Sequence, residues 1–107
     1  VATDGDPAAC ALCADNAEQN EVSSSVCVRQ LVWGNREHLT SAIAHFAGGN
    51  GPEMIVAADV VYGGGDRHYE ESCDDLEGTL RAAVWTSNCA WVLLAWKRRG
   101  FSEEAFP

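Results

Sequence analysis

The chain has 107 residues, 47% of them hydrophobic, which is enough for one domain with one core. Sixteen acidic residues against seven basic ones leave a formal charge of −9. That balance argues against a general affinity for nucleic acid or anionic membrane, both of which depend on basic patches, and no apolar run nears the ~20 residues of a membrane span.

Val1-Ala2-Thr3 reads as the tail of a strand. Asp4-Gly5-Asp6-Pro7 follows as a turn, with Asp6 at a helix N-cap and Pro7 at the first helical position. The helix is expected to reach Asn20, with Ala9, Leu12, Cys13, Asn16 and Ala17 at helical spacing facing a sheet. After the polar connection Glu21 to Ser25, Val26 to Trp33 reads as a second strand, which Gly34 and Asn35 end. A short helix is expected from Leu39 to Ala47, broken by Gly48-Gly49-Asn50-Gly51-Pro52.

Met54 to Ala58 is uninterruptedly apolar, and Val60 and Val61 follow Asp59. A continuous run of this kind predicts a strand buried on both faces, as in a parallel sheet. A Gly63-Gly64-Gly65-Asp66 loop comes next. Tyr69, Cys73, Leu76, Leu80 and Val84 then define an amphipathic helix over 69–85, with Gly78 off the apolar stripe. Ala90 to Trp96 is a second buried strand. Lys97-Arg98-Arg99-Gly100 closes it as a solvated strand end, and Ser102-Glu103-Glu104 opens a last helix.

This alternation of strands and helices predicts an α/β fold, mainly a parallel sheet with helices on both faces and right-handed crossovers. Val1 falls within a strand and Phe106-Pro107 just past a helix start. The expectation is therefore a single partial domain over 1–107, truncated at both ends.

Ligands of open parallel sheets bind outside the carboxyl ends of the strands. Here those ends carry Asp4, then Trp33-Gly34, then Asp59-Val60-Val61-Tyr62. A carboxylate after an early strand suits a ribose, because it accepts hydrogen bonds from two vicinal hydroxyls. An aromatic at the next end suits a purine face, although Trp33 serves equally well as a core residue. An acid after the third strand suits an ammonium group or orients a substrate amine.

Other motifs read more plainly. The five cysteines are an odd number without disulfide-scaffold density, so they are expected as reduced thiols of an intracellular protein, with the cytoplasm as the compartment. Cys10-Ala11-Leu12-Cys13 has C-x-x-C spacing but lies within a helix without a second pair, and reads as buried small residues. His38, His45 and His68 lack the four-ligand grouping of a zinc site, so no metal is expected. No Lys-Ser/Thr follows Gly63 to Gly65, which reads as a flexible lid rather than a phosphate cradle.

Several stretches together resemble one family: V-A-T-D-G-D-P with L-C-A-D-N-A-E-Q-N, L-V-W-G, M-I-V-A-A-D-V-V-Y, W-V-L-L-A-W-K-R-R and E-E-A-F. The chain is similar to the class I S-adenosylmethionine-dependent methyltransferases, and within them to the seven-β-strand protein-lysine methyltransferase branch. Asp59-Val60-Val61-Tyr62 matches that branch's D/E-x-x-Y signature. The resemblance spans nearly all of the chain. It implies a partial Rossmann-like methyltransferase core, S-adenosylmethionine as cofactor, and methyl transfer to a lysine of a protein substrate, with neither nucleic acid nor membrane as partner.

By position, the resemblance places Asp4 on the ribose hydroxyls, Trp33 against the adenine, and Ala58 with Asp59 along the methionine end. Asp59 and Tyr62 form the catalytic pair at the lysine entrance. Transfer from a sulfonium needs little acid–base chemistry, so positioning and desolvation are expected to supply most of the effect.

The family's Gly-rich E/D-x-G-x-G-x-G loop is not in the sequence: Gly63 to Gly65 follows a different strand, and Gly48 to Gly51 precedes one. The family's strand order puts the strand carrying that loop between those ending at Asp4 and at Tyr62. If that order is kept, either an empty slot with unpaired edges is expected there, or the strands close up and the cofactor pocket is distorted. The alternatives are an inactive truncated fragment or a non-catalytic α/β interaction module. A flavodoxin-like binding module is disfavoured by Trp33-Gly34 and Asp59-Val60-Val61-Tyr62 occurring together.

Overall fold

The computed structural model of the protein describes residues 1–60, 69–89 and 91–96. The expectations for Tyr62, Gly63 to Gly65, His68, Lys97 to Arg99 and the helix from Ser102 lie outside those residues. The elements run in the order β1 (Ala2–Asp4), α1 (Pro7–Gln19), β2 (Val28–Gln30), α2 (Arg36–Ala44), a 3₁₀ turn (Ala47–Gly49), β3 (Met54–Ala58), α3 (Tyr69–Trp85) and β4 (Trp91–Ala95). This is the expected α/β alternation.

Local chemistry sets most of the boundaries. The Asp6 carboxylate accepts the Ala8 N–H at 2.8 Å, and Pro7 opens α1 where its missing N–H costs nothing. Asn20 caps the other end, its N–H donating to the Asn16 carbonyl at 3.0 Å. The second strand is much shorter than the expected 26–33. It pairs with β1 only through Ala2↔Val28, Thr3↔Arg29 and Asp4↔Gln30, so its length is limited to that of its partner. Helix α2 begins at Arg36, three residues before the first apolar residue of its stripe. The cause is Asn35, whose side chain accepts the His38 N–H at 3.0 Å.

Two parallel pairs make up the sheet structure among the described residues, β1–β2 and β3–β4, and they do not hydrogen-bond to each other. Between them lies a cavity of about 150 Å³, lined by Val1 and Thr3 on one side and Ile55 and Val56 on the other. Leu39 and Ile43 of α2 and Thr79 and Leu80 of α3 close it from one face. The gap falls where the expected slot was placed. Helix α1 packs on β1 and β2, α2 packs on β2, and α2 and α3 pack together.

Helix α3 spans the expected 69–85, but its buried arc is shifted by about one residue. Ser72, Leu76, Thr79 and Ala83 are buried, whereas Val84 is half open. Helix α3 lies against α2. Cys73 and Leu76 form the core, with Trp33, Val60, Leu80 and Leu94 packed on them.

One expectation is corrected here. The strands β3 and β4, read as buried on both faces, are covered by the described residues on one only. Ala57 is buried, but Val56 is 68% exposed, and its sheet neighbours Met54, Trp91 and Leu93 are also open. An apolar run reports what a strand is suited to, and its covering layers must come from other elements. The strand also stops at Ala58, because Asp59 adopts the left-handed conformation (φ 56) while its N–H still donates to the Ala95 carbonyl at 2.7 Å.

Candidate functional site

The expected site residues sit at strand carboxyl ends. Asp4 ends β1 and is exposed. Its Oδ1 accepts the Asp6 N–H at 2.8 Å, and its carbonyl accepts both the Leu31 N–H at 2.8 Å and the Cys10 thiol at 3.4 Å. Those bonds orient the carboxylate at the mouth of the β1–α1 turn. A carboxylate has two oxygens and about four acceptor positions, so capacity for a diol remains.

Trp33 and Gly34 occupy the centre of a four-residue turn after β2. The Asn35 N–H donates to the Val32 carbonyl at 3.0 Å, and Gly34 has φ +84. A turn that requires positive φ at its third residue favours glycine there. A side chain at that position would also press on Asp75, whose Oδ1 lies 3.1 Å from an ideal Cβ. The Trp33 side chain is half-buried on Cys73 and Leu76, and its residue also edges an open concavity of about 610 Å³. Gly34, Asn35, Arg36, Glu37 and Asp75 complete that concavity. The two roles considered for Trp33, core aromatic and ligand wall, are thus compatible in one position.

Ala58 and Asp59 end β3 and are exposed. Val60, immediately after, packs on the same Cys73–Leu76 pair as Trp33. The first half of α3 therefore ties together the ends of β2 and β3, and with them Trp33 and Asp59. Asp4 is held across the β1–β2 pair, opposite Gln30. Tyr62 lies outside the described residues.

Polar residues that apolar periodicity does not reveal complete the site. The Thr79 hydroxyl accepts the Gly34 N–H at 2.8 Å from α3, and Asn35 caps α2 at the rim. Asn35 was legible in principle as an N-cap; Thr79 carried no signal along the chain. The histidines serve local structure: His38 Nδ1 accepts the Val32 N–H at 3.1 Å, and His45 Nδ1 meets Arg29 at 3.4 Å. Among the described residues no three His, Cys, Asp or Glu side chains are grouped to hold a metal.

The described elements form a parallel α/β arrangement, with Asp4, Trp33 and Asp59 at or just beyond successive strand carboxyl ends. The comparison with family models narrows this. The lysine methyltransferase family model matches residues 1–107, and the chain belongs to that family. No curated protein and no solved structure matches it.

Proposed function

We propose that the chain contributes to S-adenosylmethionine-dependent methylation of a protein lysine side chain, with Asp4, Trp33, Ala58 and Asp59 at the cofactor site and Asp59 with Tyr62 at the lysine entrance. The observation that carries this reading is the shared anchoring of the Trp33–Gly34 turn and the Asp59–Val60 strand end on Cys73 and Leu76. Family membership supports the methyltransferase chemistry.

The donor set fits the cofactor at two points. The Asp4 carboxylate, already oriented by the Asp6 N–H, offers its remaining acceptor positions to ribose hydroxyls. Trp33 edges an open concavity whose other lining residues, Gly34, Asn35, Arg36, Glu37 and Asp75, offer hydrogen-bonding groups beside the indole. The cofactor supplies an electrophilic methyl group on a sulfonium centre. Asp59 would draw the lysine ammonium toward the strand end. After the ammonium loses a proton to water, the neutral amine forms the N–CH3 bond as the S–CH3 bond breaks and the thioether leaves. Tyr62 borders the same entrance. The substrate is a protein, and the acidic surface suits a lysine-rich segment. Five free cysteines support action inside the cell, in the cytoplasm; no helix among the described residues is long and apolar enough to cross a membrane.

A second reading, a non-catalytic α/β module, is favoured by the unpaired gap between β1 and β3. Calorimetry with S-adenosylhomocysteine separates the two. Micromolar binding that Asp4→Ala weakens by roughly tenfold or more supports the enzyme reading. A folded chain that does not bind the ligand sinks it and leaves the second.

A further inference from the structure

Thr79 is 7% exposed, in the middle of α3, and its hydroxyl is engaged twice. It donates its only proton to the Asp75 carbonyl at 2.8 Å, one helical turn back. With that proton committed, the oxygen can only accept from Gly34, and the Gly34 N–H donates to it at 2.8 Å. The bond joins residues 45 positions apart in the sequence and fixes the turn whose preceding residue is Trp33. Asp75, one helical turn before Thr79, lies beside Gly34 and lines the concavity that Trp33 edges.

We propose that Thr79 is a positioning residue of the cofactor site. Its hydroxyl latches the Trp33–Gly34 turn to α3 and so holds the Trp33 concavity in the shape that receives the adenine. This rests on the functional reading above, which assigns the adenine to Trp33. The indole is seated on Cys73 and Leu76 below the turn, and the latch fixes the backbone above it. Losing the latch frees the backbone and blurs the wall that the indole presents. Serine keeps both hydrogen bonds. Valine, nearly isosteric, keeps neither and leaves the Gly34 N–H without its acceptor.

The test measures binding of adenosine and of S-adenosylhomocysteine to the 107-residue chain and to Thr79→Val, Thr79→Ser and Trp33→Ala, with amide exchange followed at Gly34, Cys73 and Leu76. The expected result is a loss of roughly tenfold or more in adenosine affinity for Thr79→Val, matched by Trp33→Ala, with Thr79→Ser within about threefold of wild type. Exchange at Gly34 should quicken in Thr79→Val while Cys73 and Leu76 stay protected, which separates a local latch from general loosening. Should Thr79→Val not fold, Thr79→Ala, which also removes the hydroxyl and both of its hydrogen bonds, should show the same loss. Wild type binding neither ligand brings down the functional reading and the role of Thr79 with it. If wild type binds and Trp33→Ala weakens it while folded Thr79→Val does not, the latch alone is overturned. Weakening by Thr79→Val without any by Trp33→Ala also overturns it, because the latch acts through Trp33.

Discussion

Two strand–helix–strand units flank α2 in the described structure, and they are held by different means. The unit β1–α1–β2 has three-residue strands, and Ala17 is the buried residue of its helix. Directional polar contacts hold it: the Asp4 and Asp6 turns, the Leu31 N–H on the Asp4 carbonyl, and Gln30 Nε2 donating to the Gly5 carbonyl at 2.9 Å. The unit β3–α3–β4 has five-residue apolar strands and a 17-residue helix, and apolar contact around Leu76 dominates. The polar unit places a carboxylate with defined orientation but buries little. The apolar unit supplies the core on which both candidate strand ends rest, and it leaves one whole sheet face open.

The contrast predicts that damage to the apolar unit propagates while damage to the polar one stays local. Leu76→Ala should have the largest effect, about 3 kcal/mol of lost stability. Leu76 is 3% exposed and anchors Trp33 as well as Val60, so chemical denaturation should show the whole chain weakening together. Persistence of a native-like Trp33 environment in that variant would break the comparison. Next comes Gly34→Ala, expected to cost ~1–2 kcal/mol because the added methyl meets Asp75 at positive φ. Gly78→Ala is its counterpart within α3, where nothing lies within 4 Å of the new Cβ. It should stabilise by ~0.5–1 kcal/mol, and thermal unfolding of the two variants should move in opposite directions.

Removal of the α1 cap by Asp6→Ala should cost about 1 kcal/mol, seen as faster amide exchange in the first turn with little change near Leu76. A global loss from that change would show the two units to be more strongly coupled than their contacts imply. Val56→Thr should have the smallest effect, within ~0.5 kcal/mol in denaturant titration, because its side chain faces outward. A cost several times larger would show that this sheet face is covered in solution.

Some of this was readable along the chain. The Asp6-Pro7 start of α1 and the span of α3 follow from short-range chemistry and appear where expected, whereas α2 ends at Ala44, ahead of the glycine break expected after Ala47. Strand lengths did not follow from composition, because a ladder extends only as far as its partner does: Val26, Cys27 and Leu31 to Trp33 are β-compatible but fall outside the β1 register. Candidate residues at strand ends were legible because topology ties ligand sites to those ends, which singled out Asp4, Trp33 and Asp59, while Ala58 came from the family resemblance. Thr79 was not legible, since its role depends on a partner 45 positions away.

The amino-acid sequence by itself determined the order of elements, the helix caps and the class of the fold, because periodicity, proline, glycine and capping side chains act over a few residues. The tertiary structure alone decided which face of each apolar strand is covered, where the parallel ladder divides, and which polar side chain on α3 meets the Trp33–Gly34 turn. Those outcomes depend on distant segments meeting in space, where burial and hydrogen bonding are set by the partner found there and not by the local run of residues.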